Sequence, residues 1–204
     1  MIYKIRTYGD PVLRRRAKPV TAFDEKLATL AQDMLATMFD ANGVGLAAPQ
    51  IGLSERVFVA LELAEEVEEE TEGEVLTSGE KREKWGVKAE HVMVNPKIVA
   101  RNDVQYGTDG CLSLPGIFVE EMKRDAHVRV RYQDVTGGAH EQEAEGHFAH
   151  VIQHELDHLD GVLFFDRLPE ADKREFLELH RKELAELQRE AKGYLRDLKG
   201  AKQT

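Results

Sequence analysis

Cysteine is almost absent from this 204-residue chain. Cys111 stands alone, which excludes an intramolecular disulfide framework and fits a reducing compartment. No apolar run approaches the length of a membrane span, and the opening MIYKIRTYGD lacks the apolar stretch of a secretory signal. Positive charge is also short. A net charge of −10 argues against general binding to nucleic acid, specific DNA recognition included. The expectation is a cytoplasmic, monomeric protein with no membrane attachment.

An apolar content of 42% is sufficient for a single core. Glu62, Glu65, Glu66, Glu68, Glu69, Glu70, Glu72 and Glu74 form an acidic block with no lysine or arginine among them, and the rest of the chain is close to neutral. At the other end Arg189, Lys192, Arg196, Lys199 and Lys202 outnumber Glu190 and Asp197, so an anionic partner would meet the tail before the body.

Residues 1–20 read as an extended arm with a turn at Gly9-Asp10-Pro11, and Arg14, Arg15 and Arg16 as a solvated stretch. From Asp24 to Ala41, Leu27, Leu30, Ala31, Met34, Leu35, Met38 and Phe39 form one helical stripe suited to core packing. The helix ends at Asn42-Gly43 and enters GVGLAAPQIG, whose small residues let the backbone approach something closely, here a substrate. The G-x-G-x-x-G spacing fails, which excludes a dinucleotide fingerprint. Gln50, among apolar neighbours, needs a polar partner, and a tight turn that satisfies it by backbone would explain it equally well.

Arg56–Leu61 is a short strand, and residues 62–90 an acidic surface insertion containing the single tryptophan, Trp85. Strands resume at His91–Ala100, broken by Asn95-Pro96, and at Ala126–Tyr132, with a turn at Gly137-Gly138 before a further segment that pairs back. A long helix is expected from Glu170 to Leu198. The architecture expected is α+β: short, mostly antiparallel β-sheets around a central HExxH helix, with an N-terminal helix and a long C-terminal helix. Residues 1–168 would form the catalytic domain, and 169–204 the C-terminal helix and tail.

The central helix lies in GHFAHVIQHELDHLDG (146–161). Phe148, Val151, Ile152, Leu156 and Leu159 recur at the spacing of a buried face, and Gly161 supplies a stop. His154 and His158 fall at i and i+4, with Cβ atoms about 5–6 Å apart on one face and able to share a metal ion. Glu155 can hold a water at such a metal without being a ligand. Catalytic zinc-type sites take three protein ligands and leave one position open. The metzincin pattern fails because its last histidine position is Phe164. Glu175 or Glu178 would supply a thermolysin-type third ligand. Cys111, in GTDGCLSLPG, is the other option: as thiolate with two imidazoles it would make an N₂S site for Fe²⁺, Zn²⁺, Ni²⁺ or Co²⁺. A lone cysteine can equally be a small buried hydrophobe or a protease nucleophile.

GVGLAAPQ, DGCLS and QHELDH, in that order, resemble the three signature motifs of peptide deformylases. YGDPVLRRRAKPV and HLDGVLFFDRL are similar to that family too, so the likeness runs from residue 3 to residue 168 with 62–90 as its interruption. The resemblance implies removal of the N-formyl group from the initiator methionine of nascent polypeptides, releasing formate. It implies a divalent ion, typically Fe²⁺, held by Cys111, His154 and His158. Glu155 would take a proton from the metal-bound water and deliver it to the leaving amine, while Gln50 and the backbone N–H of Leu112 would donate to the oxyanion. Gly43, Val44 and Gly45 would pair with the extended peptide, with Val44 and Val151 as pocket walls.

Two departures stand out. Asp109 replaces the family's usual glutamate, so its support of an arginine, with Arg124 the candidate, would be looser. His147 and His150 occupy positions often apolar or basic in relatives and are expected at the pocket edge or surface. Long-tailed relatives suggest ribosome docking through the C-terminal helix. Two other readings are an HExxH metallopeptidase with a downstream glutamate ligand and a non-catalytic, metal-stabilised adaptor.

Overall fold

The computed structural model describes residues 1–64 and 76–201. Asp24 opens helix α1 (Glu25–Asp40) by accepting from the N–H groups of Lys26 and Leu27, and the helix ends where Asn42 turns left-handed. Five antiparallel strands then form one meander: β1 (Gly45–Ala47), β2 (Val57–Leu63), β3 (Val87–Cys111), β4 (Leu114–Gln133) and β5 (Ala139–Glu145). Helix α2 (Ser78–Lys84) lies between β2 and β3, and α3 (Gly146–Leu159) follows β5 directly. The architecture is α+β, as expected.

The unbroken apolar run of β2 follows from burial on both faces. Val57, Val59 and Leu61 meet Met34, Met38 and Phe39 of α1, whereas Phe58 and Ala60 meet Val151, Ile152 and Leu156 of α3. Alternation along the strand assigns each side chain to one helix. The sheet is thus packed between α1 and α3.

Four elements differ from expectation, one of them β4, which was expected over Ala126–Tyr132 and starts at Leu114. The 62–90 insertion is partly regular. Glu62 and Leu63 still belong to β2, and Thr77 caps α2 in a reciprocal bond with Glu80, whose carboxylate accepts from the Thr77 N–H at 2.8 Å. Trp85 is buried and stacks on Phe39 at a ring separation of 6.0 Å. The glutamates from Glu65 to Glu74 lie outside the described residues. Strand β3 does not break at Asn95-Pro96. Its ladder shifts from Val94 to Lys97, Asn95 adopts a φ of 50°, and its side chain bridges Val20 and Gln133. The expected single C-terminal helix divides at His180 into α4 (Glu170–Leu179) and α5 (Arg181–Ala201), letting Phe176, Leu184 and Leu187 reach the apolar cluster that contains Cys111.

The N-terminal arm fastens these parts together. Backbone N–H groups donate from Arg6 to Gln50 at 2.7 Å, from Tyr8 to Ser113 at 2.9 Å and from Ala17 to Leu159 at 2.8 Å. Gly161, which ends α3 at a φ of +74°, lies so close to the arm that a Cβ would sit 2.8 Å from the carbonyl carbon of Arg14. Gly161→Ala therefore adds about 1–2 kcal/mol of left-handed backbone cost before any clash. Its thermal midpoint is expected to fall by about 3 °C or more, read by calorimetry. An unchanged midpoint would contradict the close packing of arm and helix.

Candidate metal centre

Helix α3 is buried from Phe148 to Leu159, and its polar residues determine the site. His154 and His158 project together, with ring centroids 4.9 Å apart. Cys111 ends β3 at the tip of the β3–β4 hairpin, opposite Leu114, and its Sγ lies 3.1 Å from His158 Nε2. The ligand atoms of Cys111, His154 and His158 all lie within 4.8 Å of one another. A thiol and two imidazoles, buried and convergent, suit a borderline-soft divalent ion. Among the described residues no other such group forms; Glu175 and Glu178 are exposed on α4 and take no part in it.

Asp109 organises the trio from behind. Its Oδ1 accepts from His154 Nδ1 at 2.6 Å, which leaves Nε2 as the nitrogen facing the thiol. Its Oδ2 accepts from Arg124 at 2.8 Å and 3.2 Å. Arg124 also donates to Asp157 at 2.6 Å, and Arg167 closes the far side of Asp157. The expected Arg124 contact is made, and the shorter aspartate reaches it directly. Burial works against charge on Asp109 and His154, yet each stabilises the other: Asp109 is held well below the usual carboxylate range and His154 well above the usual imidazole range. Burial pushes His158 down, reinforced by the charge on His154.

Glu155 points into the same space. It is 3% exposed, its Oε2 has no hydrogen-bond partner among the described residues, and burial pushes its carboxyl up to about 7 against the pull of His154. The glycines of GVG make room for these side chains. A Cβ at Gly45 would lie 2.3 Å from Glu155 Oε1, and one at Gly43 would lie 2.7 Å from Leu112 Cδ1. The expected close approach is thus already made by the protein itself. Gln50 combines both sequence readings: its Oε1 accepts from the Ala47 N–H at 2.8 Å, which orients its Nε2 toward Cys111 Sγ at 3.6 Å and Ser113 Oγ at 3.3 Å.

A cavity of about 540 Å³ opens onto these groups. Gly43, Val44, Gly45, Gln50, Cys111, Leu112, Val151, His154 and Glu155 line it, and His158 lies behind the wall. His147 is exposed at its edge, whereas His150 is buried in its wall. Asp157 was missed in the sequence. Its signal was the excess of polar residues on a helix whose apolar stripe was already filled.

The polypeptide deformylase family matches residues 2–174 of the chain. The peptide deformylase of Thermus thermophilus is 52% identical over 198 residues, which cover 97% of this chain and 98% of that protein. That of Thermotoga neapolitana is 43% identical over 94% of this chain and 100% of its own length. A crystal structure of the peptide deformylase from Thermus thermophilus superposes with a TM-score of 0.81 at 50% identity, covering 93% of this chain and 99% of that one.

The raised carboxyl of Glu155 has a consequence for stability. The folded chain keeps this proton up to about 7, whereas the unfolded chain releases it near 4.5. The contribution to stability is therefore complete below 4.5 and is lost as pH rises through 7. Metal-free protein is expected to lose more stability between these limits than its Glu155→Gln variant, measured as urea midpoints. Parallel pH profiles would show that Glu155 ionises as freely folded as unfolded.

Proposed function

The chain belongs to the peptide deformylase family of metallohydrolases, and from this premise we propose that it removes the N-formyl group from the N-terminal methionine of nascent polypeptides, releasing formate. The observation that carries the proposal is the convergence of Cys111, His154 and His158 beside the buried carboxyl of Glu155 at one cavity. Cys111, His154 and His158 would hold a divalent ion, which would supply Lewis acidity when bound. We assign Fe²⁺ as the physiological ion, with Zn²⁺, Ni²⁺ or Co²⁺ compatible with the same donor set.

The remaining work falls to the chain. Water adds to the formyl carbon, the C–N bond breaks, and formate and a free amine result. Glu155 accepts the proton from the attacking water and returns it to the departing nitrogen, a task for which a carboxyl titrating at about 7 is suited. Gln50 Nε2, oriented by Ala47, and the backbone N–H of Leu112 donate to the formyl oxygen as it gains negative charge. Strand β1 lies at the edge of the sheet, so Gly43, Val44 and Gly45 can present backbone to an extended peptide. Val44 and Val151 supply apolar wall to the methionine side chain, which a cavity of about 540 Å³ accommodates.

No helix among the described residues is long and apolar enough to cross a membrane. We place the protein in the cytoplasm as a monomer acting on chains as they are made, with α5 touching the ribosome.

Formate release from a formyl-Met tripeptide, with metal content measured anaerobically on the same sample, tests the reaction. Glu155→Gln should lower the rate by about 10²-fold or more while retaining metal, and Cys111→Ala should lose both. Metal-loaded wild type that releases no formate would refute the assignment. For the ribosome contact, truncation after Leu187 removes Arg189, Lys192, Arg196 and Lys199 but keeps the buried Leu184 and Leu187. The truncated chain is expected to turn over short peptides normally and to co-sediment less with ribosomes; equal co-sedimentation would exclude this tail as the contact.

A further inference from the structure

One imidazole in the cavity wall has no part in the chemistry described above. His150 precedes His154 by one helical turn and is 8% exposed. One ring edge borders the cavity next to the Gly107 backbone, where its Nδ1 would lie 3.6 Å from an added Cβ. The opposite edge brings Nε2 to 3.1 Å from Asp109 Oδ2. Alignment there is poor for a hydrogen bond, and Nε2 has no other acceptor among the described residues.

Asp109 explains why that contact matters. Its Oδ2 is shared between His150 and two nitrogens of Arg124, while Oδ1 alone holds His154 Nδ1 at 2.6 Å. Three nitrogens converge on that oxygen, two hydrogen-bonded from Arg124 and the third, His150 Nε2, in ion-pair contact, and together they oppose rotation of the carboxylate. Rotation would carry Oδ1 away from His154 and release the imidazole ring. A merely space-filling residue at position 150 would need no nitrogen facing Asp109. His147, on the same helix but exposed at the cavity edge, makes no ion pair with that carboxylate.

We propose that His150 is a positioning residue: its Nε2 braces Asp109 beside Arg124, and through Asp109 it fixes the ring of His154. The proposal rests on reading Cys111, His154 and His158 as metal ligands. It also explains how an aspartate serves here, because the additional imidazole reaches the shorter carboxylate from the helix side.

The test is Co²⁺ affinity by chelator competition, together with the His154 Nδ1–H resonance of metal-free protein, for wild type, His150→Leu, His150→Gln and His147→Leu. Partners that orient a ligand typically change metal affinity by about 10–100-fold. His150→Leu is expected to bind Co²⁺ about tenfold more weakly and to broaden or lose the His154 proton signal. His150→Gln, which keeps a side-chain N–H, should recover most of both, and His147→Leu should match wild type. If the leucine variant does not fold, His150→Met provides the same contrast with His150→Gln. Equal affinity and an unchanged proton signal in the variants lacking a donor would overturn the role, as would glutamine no better than leucine. Wild type that takes up no Co²⁺ would overturn the metal site itself, and this role with it.

Discussion

A helix buried along nearly its whole length must account for every polar group it carries. In α3 the buried ones are His150, Gln153, His154, Glu155, Asp157 and His158. Gln153 docks on β4, with Oε1 accepting from the Asp125 N–H at 3.0 Å and Nε2 donating to its carbonyl at 2.9 Å. Asp157 and, through Asp109, His154 are joined by the buried Arg124. Removing one member of such a buried charge network leaves an unpaired ion, at a cost of about 3–5 kcal/mol. The network is therefore both the support of the helix and the mount of its functional face. On this helix the buried atoms left without hydrogen-bond partners among the described residues are His150 Nε2, Glu155 Oε2 and His158 Nδ1, all on side chains at or beside the candidate metal centre. Unsatisfied groups in an otherwise paired interior mark where function has overridden packing.

The same economy of space operates on the facing side. Glu155 lies against Gly45 and Leu112 against Gly43, so the tip of the β3–β4 hairpin, the edge strand and the helix meet with no room for an additional carbon. Contacts of this kind restrict how far the Glu155 and Leu112 side chains can move. The rigidity comes from backbone contact, which long side chains cannot provide.

Much of this was legible in the sequence because the signals were local. The i, i+4 histidines and the apolar stripe of α3 predicted the helix to within a few residues, and Asp24 and Asn42-Gly43 bracketed α1. The resemblance of three short motifs anticipated that Cys111 would meet His154 and His158, and Arg124 was a candidate partner of Asp109, expected to be held more loosely than it is. Non-local features were hidden. Bulges at Val94/Lys97 and Gly107/Asp109 interrupt the two-residue period, so β3 read as a short, broken strand. The capping box at Thr77 was obscured by the acidic run before it, and the division at His180 serves contacts with Phe165 and its neighbours that no window of sequence contains. The role of Asp157 depends on an arginine from a distant strand.

The arm is joined to Gln50, Ser113 and Leu159 by backbone hydrogen bonds between residues far apart in sequence. Its last partner, Leu159, lies at the end of α3. Each of these contacts closes a long loop, and such contacts form slowly because chain entropy is lost before the contact is gained. The three motif segments must therefore be held near one another by the sheet and helices before the arm can fasten them. Cys111, His154 and His158 come together only in a chain whose synthesis has passed His158, so the candidate metal centre is a late product of folding.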